Sequence, residues 1–241
     1  MDLNKITKEL KKFIRKHKSK FEEIPKRETA ILEIGALATT AEYYKNNGYL
    51  VSTKNLKNGN FKVKMGARGN PYNFSWFTCE KDNIKFEIHS NLSVYDGYNE
   101  NGVYVVDVGI CNSKKVEELS SLDKGVIKAI KNKDLITFIE VKKLVVYPML
   151  LAQFVGIVHE LQPFFLKGKL PDNFEKKKHF YPTLIATQYL SGTTSKIIDD
   201  FKKRNYKISI IWNFENRIFD LNLTGRNLFS NERSDLEIDI S

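Results

Sequence analysis

The 241-residue sequence lacks the features of a secreted or membrane-embedded protein. Its only two cysteines, Cys79 and Cys111, lie in separate apolar, strand-like runs, which gives no sign of a disulfide framework. The longest apolar stretch, residues 144–158, contains Pro148 and Gln153 and is shorter than the ~20 residues that a membrane-spanning helix needs. No basic-then-apolar leader with a cleavage site is visible. We therefore expect a cytoplasmic protein with no transmembrane segment and no membrane partner.

Recognisable cofactor motifs are absent as well. The four histidines, His17, His89, His159 and His179, have no zinc-ligand spacing with either cysteine, so the sequence predicts no zinc site. It contains no Walker loop, dinucleotide fingerprint or nucleophile elbow. These absences argue against P-loop NTPases, dinucleotide-dependent dehydrogenases and α/β-hydrolases.

Acidic residues are scarce relative to basic ones, with 29 against 39, and the formal net charge is +10. Residues 1–20 hold eight lysines and arginines against two acids, whereas residues 231–241 hold four acids against Arg233. A lysine-rich composition also arises in AT-rich genomes, so the uneven distribution is the stronger signal. A positive surface attracts phosphate and gains from counterion release. The charge therefore favours a polyanionic partner such as nucleic acid.

The N-terminal segment, residues 1–24, predicts a basic amphipathic helix, because its apolar residues recur at helical spacing with lysines on the opposite face. One interpretation is an ordinary surface helix that docks by its apolar side. Another is a helix that contacts phosphate or a second subunit, and membrane-surface binding is the least favoured alternative. The residues that would contact phosphate are Lys11, Lys12 and Arg15.

The rest of the chain predicts one α/β (α+β) domain, residues 25–224, built on a mixed β-sheet flanked by helices, followed by an acidic, flexible tail at residues 225–241. Strand-like runs between residues 49 and 111 form a β-meander. Polar residues 113–134 favour one or two short helices inserted between strands. The elements that we expect are helices at 27–47, 148–161 and 193–204, and strands at 49–54, 61–65, 74–80, 84–94, 103–111, 136–144, 180–190 and 207–214.

Three charged residues interrupt apolar strands. Glu140 and Lys142 are two residues apart, so both side chains point to one face of the predicted strand 136–144. Asp107 lies inside the apolar run 103–110. Charges in such strands cost desolvation energy unless a metal, a partner or a catalytic role offsets it. If the two strands are neighbours, Asp107 and Glu140 converge on one divalent cation.

A strand carrying Asp107, a strand bearing Glu140-Val141-Lys142, a following helix and a preceding glutamate-bearing helix together resemble the PD-(D/E)XK nuclease superfamily. The resemblance covers roughly residues 27–214 and implies a restriction-endonuclease-like core with an N-terminal helical and β-meander elaboration. It departs from the pattern at Val106, where many members have proline.

The resemblance implies roles for six positions. Asp107 and Glu140 would hold Mg²⁺ or Mn²⁺, with the backbone carbonyl of Val141 as a further ligand. Lys142 would orient or deprotonate the attacking water. The added catalytic positions are Glu33 on the preceding helix and Gln153 on the following one.

Several of these residues also fit purely structural roles. Glu140 and Lys142 also fit a structural ion pair at a strand end. Glu28 and Glu42 lie on the same predicted helix as Glu33, so that helix offers three carboxylates. Gln153 also fits a buried amide that the backbone satisfies.

Two further segments offer polar or aromatic side chains. Arg68 lies in a glycine-containing loop followed by alternating aromatic residues, which predicts either a phosphate contact with base-stacking surfaces or ordinary core packing. His89 lies in a strand with polar residues at every second position, which indicates a solvent-facing edge or the lining of a cleft. The aromatic residues are Tyr72, Phe74 and Trp76, and the polar ones are Glu87, His89, Asn91 and Ser93.

The sequence thus predicts a metal-dependent endonuclease that hydrolyses phosphodiester bonds, most readily of DNA, in restriction or antiphage defence. It contains no recognisable sensor, helicase or methyltransferase domain, so regulation would come from a protein partner or from a homo-oligomer. The alternative is a non-catalytic nucleic-acid-binding or assembly protein that keeps a nuclease-like fold.

Overall fold

The computed structural model describes residues 3–113, 120–122 and 127–214. They form an α+β fold, in which a seven-stranded mixed sheet lies between helices, and the predicted fold class is confirmed. The predicted acidic tail, residues 225–241, lies outside these residues. The elements are α1 (Leu3–Lys16), β1 (Lys20–Phe21), α2 (Glu28–Asn46), β2 (Leu50–Lys54), β3 (Asn60–Phe61), β4 (Trp76–Lys81), β5 (Ile84–Tyr95), β6 (Val103–Asn112), β7 (Ser120–Leu122), β8 (Ile127–Ala129), β9 (Leu135–Lys142), α3 (Pro148–Leu161), β10 (Thr183–Ala186), α4 (Thr194–Lys203) and β11 (Ser209–Ile211).

The main sheet changes from antiparallel to parallel pairing at β9. Its strand order is β11-β10-β9-β6-β5-β4-β2, and the meander β2-β4-β5-β6 is antiparallel throughout. Strand β9 pairs antiparallel with β6 and parallel with β10, and β10 pairs parallel with β11. Parallel neighbours require crossover connections, which α3 and α4 supply. The strand that carries Glu140 and Lys142 is therefore central and covered on both faces.

Helix α2 is buried along most of its length against the first face of the sheet. Its many alanines let it lie close to the strands, and the helix belongs to the same core as Phe86 and Ile88 of β5. Gly48 follows the helix with φ +84°, a left-handed conformation that glycine adopts without steric cost, and it turns the chain into β2. This dense packing holds Glu33, in the N-terminal half of α2, at a defined height above the sheet.

Helix α1 packs behind α2 and completes the first core. Its apolar stripe is buried, and the Phe13 ring meets the Phe77 ring of β4 edge-on at 5.9 Å. Strand β1 pairs with β3, which ties the segment after α1 to the meander. The docked-helix interpretation therefore describes α1, whose basic face remains exposed. The buried stripe consists of Ile6, Leu10, Phe13 and Ile14.

Helix α3 covers the second face of the sheet, and its bounds match the predicted 148–161. Only one side of it is buried, through Leu151, Phe154 and Val158, whereas Met149 is 61% exposed. The mostly apolar composition of residues 148–161 predicts a helix buried on most sides. This prediction is wrong, because only the sheet-facing stripe of the helix has a partner within the described residues. Together with α4 it encloses the second hydrophobic core.

The described part of the insertion between β6 and β9 contains no α-helix and only one short 3-10 helix, Asn132–Asp134. Strands β7 and β8 form a hairpin, and Ile130 exchanges backbone hydrogen bonds with Ser93 and Tyr95 of β5. Ile130, an apolar residue of this segment, is buried beside β5 by these backbone hydrogen bonds and not on the face of an α-helix. Residues 114–119 and 123–126, part of that expectation, lie outside the described residues.

Replacing Phe13 with alanine should lower the free energy of unfolding by about 3–5 kcal/mol, because truncating a buried phenylalanine removes contacts and leaves a cavity. Lys8→Ala, on the exposed face of the same helix, should change it by less than about 0.5 kcal/mol. Chemical denaturation followed by circular dichroism measures both. A small effect for both variants would show that α1 does not belong to the core.

Candidate metal centre

Asp107 and Glu140 face each other where β6 and β9 stop pairing. The register aligns Val108 with Ile139, so the next positions, Asp107 and Glu140, are cross-strand neighbours. Asp107 does not continue the backbone ladder. Its Oδ2 accepts a hydrogen bond of 2.7 Å from the backbone N–H of Val141. This contact places the Asp107 carboxylate between the two strands.

The ammonium group of Lys142 joins the two carboxylates. Its Nζ lies 2.7 Å from Glu140 Oε2 and 3.5 Å from Asp107 Oδ2. The three side chains therefore form one cluster on adjacent strands, which is the geometry that the sequence predicts for them.

Glu33 is the α2 carboxylate closest in its interactions to this cluster. Its Oε2 accepts a 3.2 Å hydrogen bond from Asn91 Nδ2. Burial raises the pKa of Glu33, and the negative charge of Asp107 raises it further. Glu28, in contrast, forms an ion pair with Lys143, and Glu42 is buried farther along the helix. Of the three α2 carboxylates, Glu28, Glu33 and Glu42, the contacts therefore select Glu33 as the one beside the cluster.

Asn91 is a member of the site that sequence reasoning did not select. It has φ +46° and lies between the pairs Ser90–Val108 and Leu92–Val106, which puts it beside Asp107. Asparagine tolerates this left-handed conformation better than most residues. In the sequence, Asn91 is an asparagine inside an otherwise strand-like run. Only the strand register shows that it lies beside Asp107.

A buried lysine fixes the backbone around Asn91. The Lys64 ammonium donates to the backbone carbonyls of Asn91, Gly66 and Ala67, and Asn91 Nδ2 donates to the Lys64 carbonyl. Burial lowers the pKa of Lys64 to about 8. These bonds attach the loop that carries Arg68 to the site end of β5.

Glu140 is the carboxylate of the cluster whose negative charge is least well compensated. The residue is 4% exposed, and its Oε1 has no hydrogen-bond partner among the described residues. Burial, followed by the charge of Asp107, raises the pKa of Glu140 to about 7 despite the Lys142 ion pair. An ion pair alone therefore leaves a buried carboxylate oxygen uncompensated, which costs free energy.

The same features suit a hard divalent cation. Carboxylate and carbonyl oxygens are the ligands that Mg²⁺ and Mn²⁺ prefer. Asp107 and Glu140 supply two carboxylates, and Glu140 Oε1 is the oxygen that lacks a partner. The N–H and C=O of one strand residue point to the same side, so the Val141 carbonyl also faces the Asp107 side. The donor set fits the predicted ion.

The remaining predicted positions lie apart from the cluster. Gln153 is exposed on α3, so the buried-amide alternative for it is wrong, and no contact described here joins it to Glu140. Arg68 is exposed on its loop and remains a candidate phosphate contact.

The aromatic run does not form an open stacking surface, because the Trp76 ring stacks on His89 at 5.5 Å and Phe74 lies beneath Lys62. His89 itself is buried, so the solvent-facing interpretation of its strand is wrong.

A basic groove of about 600 Å³ runs between α1 and the segment that leads into α2. Lys11 and Arg15 of α1 line it, whereas Lys12 does not. An adjoining cavity of about 450 Å³ shares Arg15 and adds Lys18. The groove ends at the N-terminal part of α2, the helix that carries Glu33. Its other charged lining residues are Lys20, Lys26, Glu22 and Glu23.

Comparison of the chain with protein-family models, with curated protein sequences and with solved structures finds no match. Within the described residues, no helix combines the length and the apolar character needed to cross a membrane.

Mg²⁺ should raise the melting temperature at about pH 8, and this effect should disappear as the pH falls through about 7. In the metal-free protein, a carboxyl group with a raised folded-state pKa contributes stability that is full below its ordinary value of 4.5 and lost as the pH rises through about 7. A bound cation removes that loss at high pH, and protons compete with it at low pH. At 100 times the Kd the gain is about 2.7 kcal/mol.

The control for this measurement is a carboxylate outside the cluster. Glu140→Gln should abolish most of the Mg²⁺ effect, whereas Glu80→Gln, at an ion pair on β4, should leave it unchanged. A shift of equal size at about pH 5 and about pH 8, or one that survives Glu140→Gln, would place the cation elsewhere.

Charge reversal in the groove should weaken DNA binding and its dependence on salt. Lys11→Glu and Arg15→Glu should each reduce the slope of log K against log salt by about 0.9, as expected for one lost phosphate contact. Lys12→Glu has the same charge change on the same helix but lies outside the groove, so its slope should stay close to that of the parent. Fluorescence anisotropy at several salt concentrations measures the slopes, and three equal changes would reject the groove as the contact surface.

Proposed function

We propose that this chain is a metal-dependent endonuclease that hydrolyses phosphodiester bonds, with DNA as the preferred substrate. The observation that carries the proposal is the convergence of Asp107, Glu140, Lys142 and Glu33 from three different elements, with one buried carboxylate oxygen that has no partner among the residues that the structure describes. Four charged groups at one place inside a fold are costly unless a function requires them.

Asp107 and Glu140 would hold the divalent ion, together with the Val141 carbonyl. A bound Mg²⁺ or Mn²⁺ would polarise the scissile phosphate and supply a water of lowered pKa. Glu33 would bind a water molecule or a second cation through its carboxylate, which Asn91 contacts at Oε2. The hydrogen bond from Val141 N–H keeps Asp107 in position before any ligand arrives.

Lys142 acts as a positive charge in this proposal and not as a base. Burial lowers its pKa, but the neighbouring charges of Glu140 and Asp107 outweigh burial and raise that pKa above the ordinary value. A lysine that keeps its proton near neutrality can orient water and stabilise the negative charge that develops on phosphate. Of the two roles that the resemblance implies, the structure thus supports orientation over deprotonation.

The choice of DNA rests on charge and on resemblance. The +10 net charge and the basic groove beside α2 suit a long polyanion. The PD-(D/E)XK resemblance adds the expectation of restriction or antiphage defence. An activating protein partner or a second copy of this chain would then control cleavage, since no sensor domain is recognisable in the sequence. A non-catalytic DNA-binding protein is the outcome to be excluded by experiment.

Lys142→Met should lower cleavage of plasmid DNA by about 100- to 1000-fold, because one positive group no longer stabilises the developing charge. Mg²⁺ binding should persist, since both carboxylates remain. Glu140→Gln should reduce Mg²⁺ binding and cleavage together, by more than the roughly 10- to 100-fold that loss of an outer-shell partner costs. Plasmid, linear DNA and RNA are assayed with and without Mg²⁺ or Mn²⁺.

Lys143→Met is the matched control, because Lys143 is the next residue and pairs with Glu28 outside the cluster. Its cleavage rate should remain within a few-fold of the parent rate. Melting temperatures are measured in parallel. The enzyme assignment fails if the parent protein binds DNA but cleaves neither DNA nor RNA with any divalent ion, or if Lys142→Met and Glu140→Gln act only by unfolding the protein.

A further inference from the structure

A second buried cluster lies on the β5–β6 hairpin, away from the carboxylate site. Glu87 of β5 pairs directly with Cys111 of β6, and His89 is two residues along β5 from Glu87, on the same face. One ligand atom from each residue lies within 4.8 Å of the others. All three residues are at most 5% exposed.

The donor set of this cluster differs from that of the Mg²⁺ candidate. It combines a carboxylate, an imidazole and a thiol, which are the three side-chain types that zinc binds. His89 Nε2 lies 3.0 Å from Glu87 Oε2. Two ligands of one tetrahedral zinc, with bonds of about 2.0–2.1 Å, lie about 3.3 Å apart. Only small side-chain adjustments would bring these atoms to that spacing.

The surroundings hold the donors in place. Tyr72 donates a hydrogen bond of 2.7 Å to Glu87 Oε2, and Ser113 donates one of 3.0 Å to Glu87 Oε1. The Trp76 ring stacks on His89 at an interplanar angle of 16°. Outer partners of this kind orient ligands in known zinc sites.

We propose that Glu87, His89 and Cys111 form a zinc site whose role is structural. A bound ion would connect the centre of β5 to β6 and, through Tyr72, to the turn that precedes β4. Its fourth position would be taken by a water molecule. The site does not depend on the proposed nuclease function. Asn91 of β5 and Asp107 of β6 belong to the carboxylate cluster, and neither is a ligand of the proposed zinc site.

The sequence predicts no zinc site because the three ligands do not form a local motif along the chain. Cys111 is far from Glu87 and His89 in sequence, and the hairpin register alone brings them together. A three-ligand site assembled across two strands has no local motif.

The decisive experiment measures a metal–sulfur bond. Protein treated with a chelator is titrated with Co²⁺ and followed by absorption, and Zn²⁺ is then added in competition. We expect one equivalent of Co²⁺ to produce a thiolate-to-metal charge-transfer band that Zn²⁺ removes. Cys111→Ser should lose the band. Cys79→Ser, the replacement of the other fully buried cysteine, should keep it.

Two further variants guard against a misfolded mutant and against binding at the carboxylate site. His89→Gln should lower Zn²⁺ affinity by at least about 10-fold, as loss of a ligand must exceed loss of an outer-shell partner. Glu140→Gln should keep the charge-transfer band. The proposal is overturned if the parent shows no band, if Cys111→Ser keeps it, or if Zn²⁺ fails to raise the melting temperature of the parent. The cluster is then a hydrogen-bonded network around Glu87 alone.

Discussion

The hydrogen bond from Val141 N–H to Asp107 Oδ2 ends the β6–β9 ladder and places the candidate site. In an uninterrupted antiparallel pair, that N–H would bond to a backbone carbonyl of β6. Here a side chain takes its place, so the two strands separate just beyond Val108 and Ile139. The space that opens is where Glu140, Lys142 and the Val141 carbonyl meet. A carboxamide at position 107 could accept the same bond, but it would bring no charge for a cation.

The cost of this arrangement falls on Glu140. Two carboxylates and a third from α2 share the positive charge of Lys142, and the deepest of them has an oxygen with no donor among the described residues. Stability alone would favour an apolar residue at such a position. A fold that retains a destabilising group at its centre, on rigid strands and under a densely packed helix, has the character of a functional site.

The meander that precedes this site contributes more than additional strands. Strand β5 carries Glu87, His89 and Asn91 in succession, all buried, from the mixed donor cluster to the carboxylate cluster. A strand with polar residues on a buried face needs partners for each of them. Tyr72 contacts Glu87, Glu87 contacts His89, and Lys64 and Glu33 contact Asn91. Strand β5 therefore links the two clusters physically. Asn91, in its left-handed conformation, is the residue at which one ends and the other begins.

Several features of the chain could be predicted from local pattern. The spacing of apolar residues predicts helices α1 and α3 and the strands in which apolar residues alternate without interruption. Each of these periods is specific to one type of element. Asp107, Glu140 and Lys142 stood out because charge inside an apolar strand is rare. The helical prediction for the segment before β9 is wrong in its described part, because Ile130 is buried by backbone hydrogen bonds to β5, a strand that is distant in sequence.

By itself, then, the sequence determined the fold class, the two charged strands and the basic character of the N-terminal helix, since each follows from neighbouring residues. Only the tertiary structure decided that Glu33 and not Glu28 or Glu42 approaches Asp107, that Asn91 joins them, and that Cys111 lies against Glu87 and His89. These pairings depend on strand register and on the height of a helix above a sheet. Both are set by packing over the whole core, and a one-residue change in register would move every one of these side chains to the opposite face.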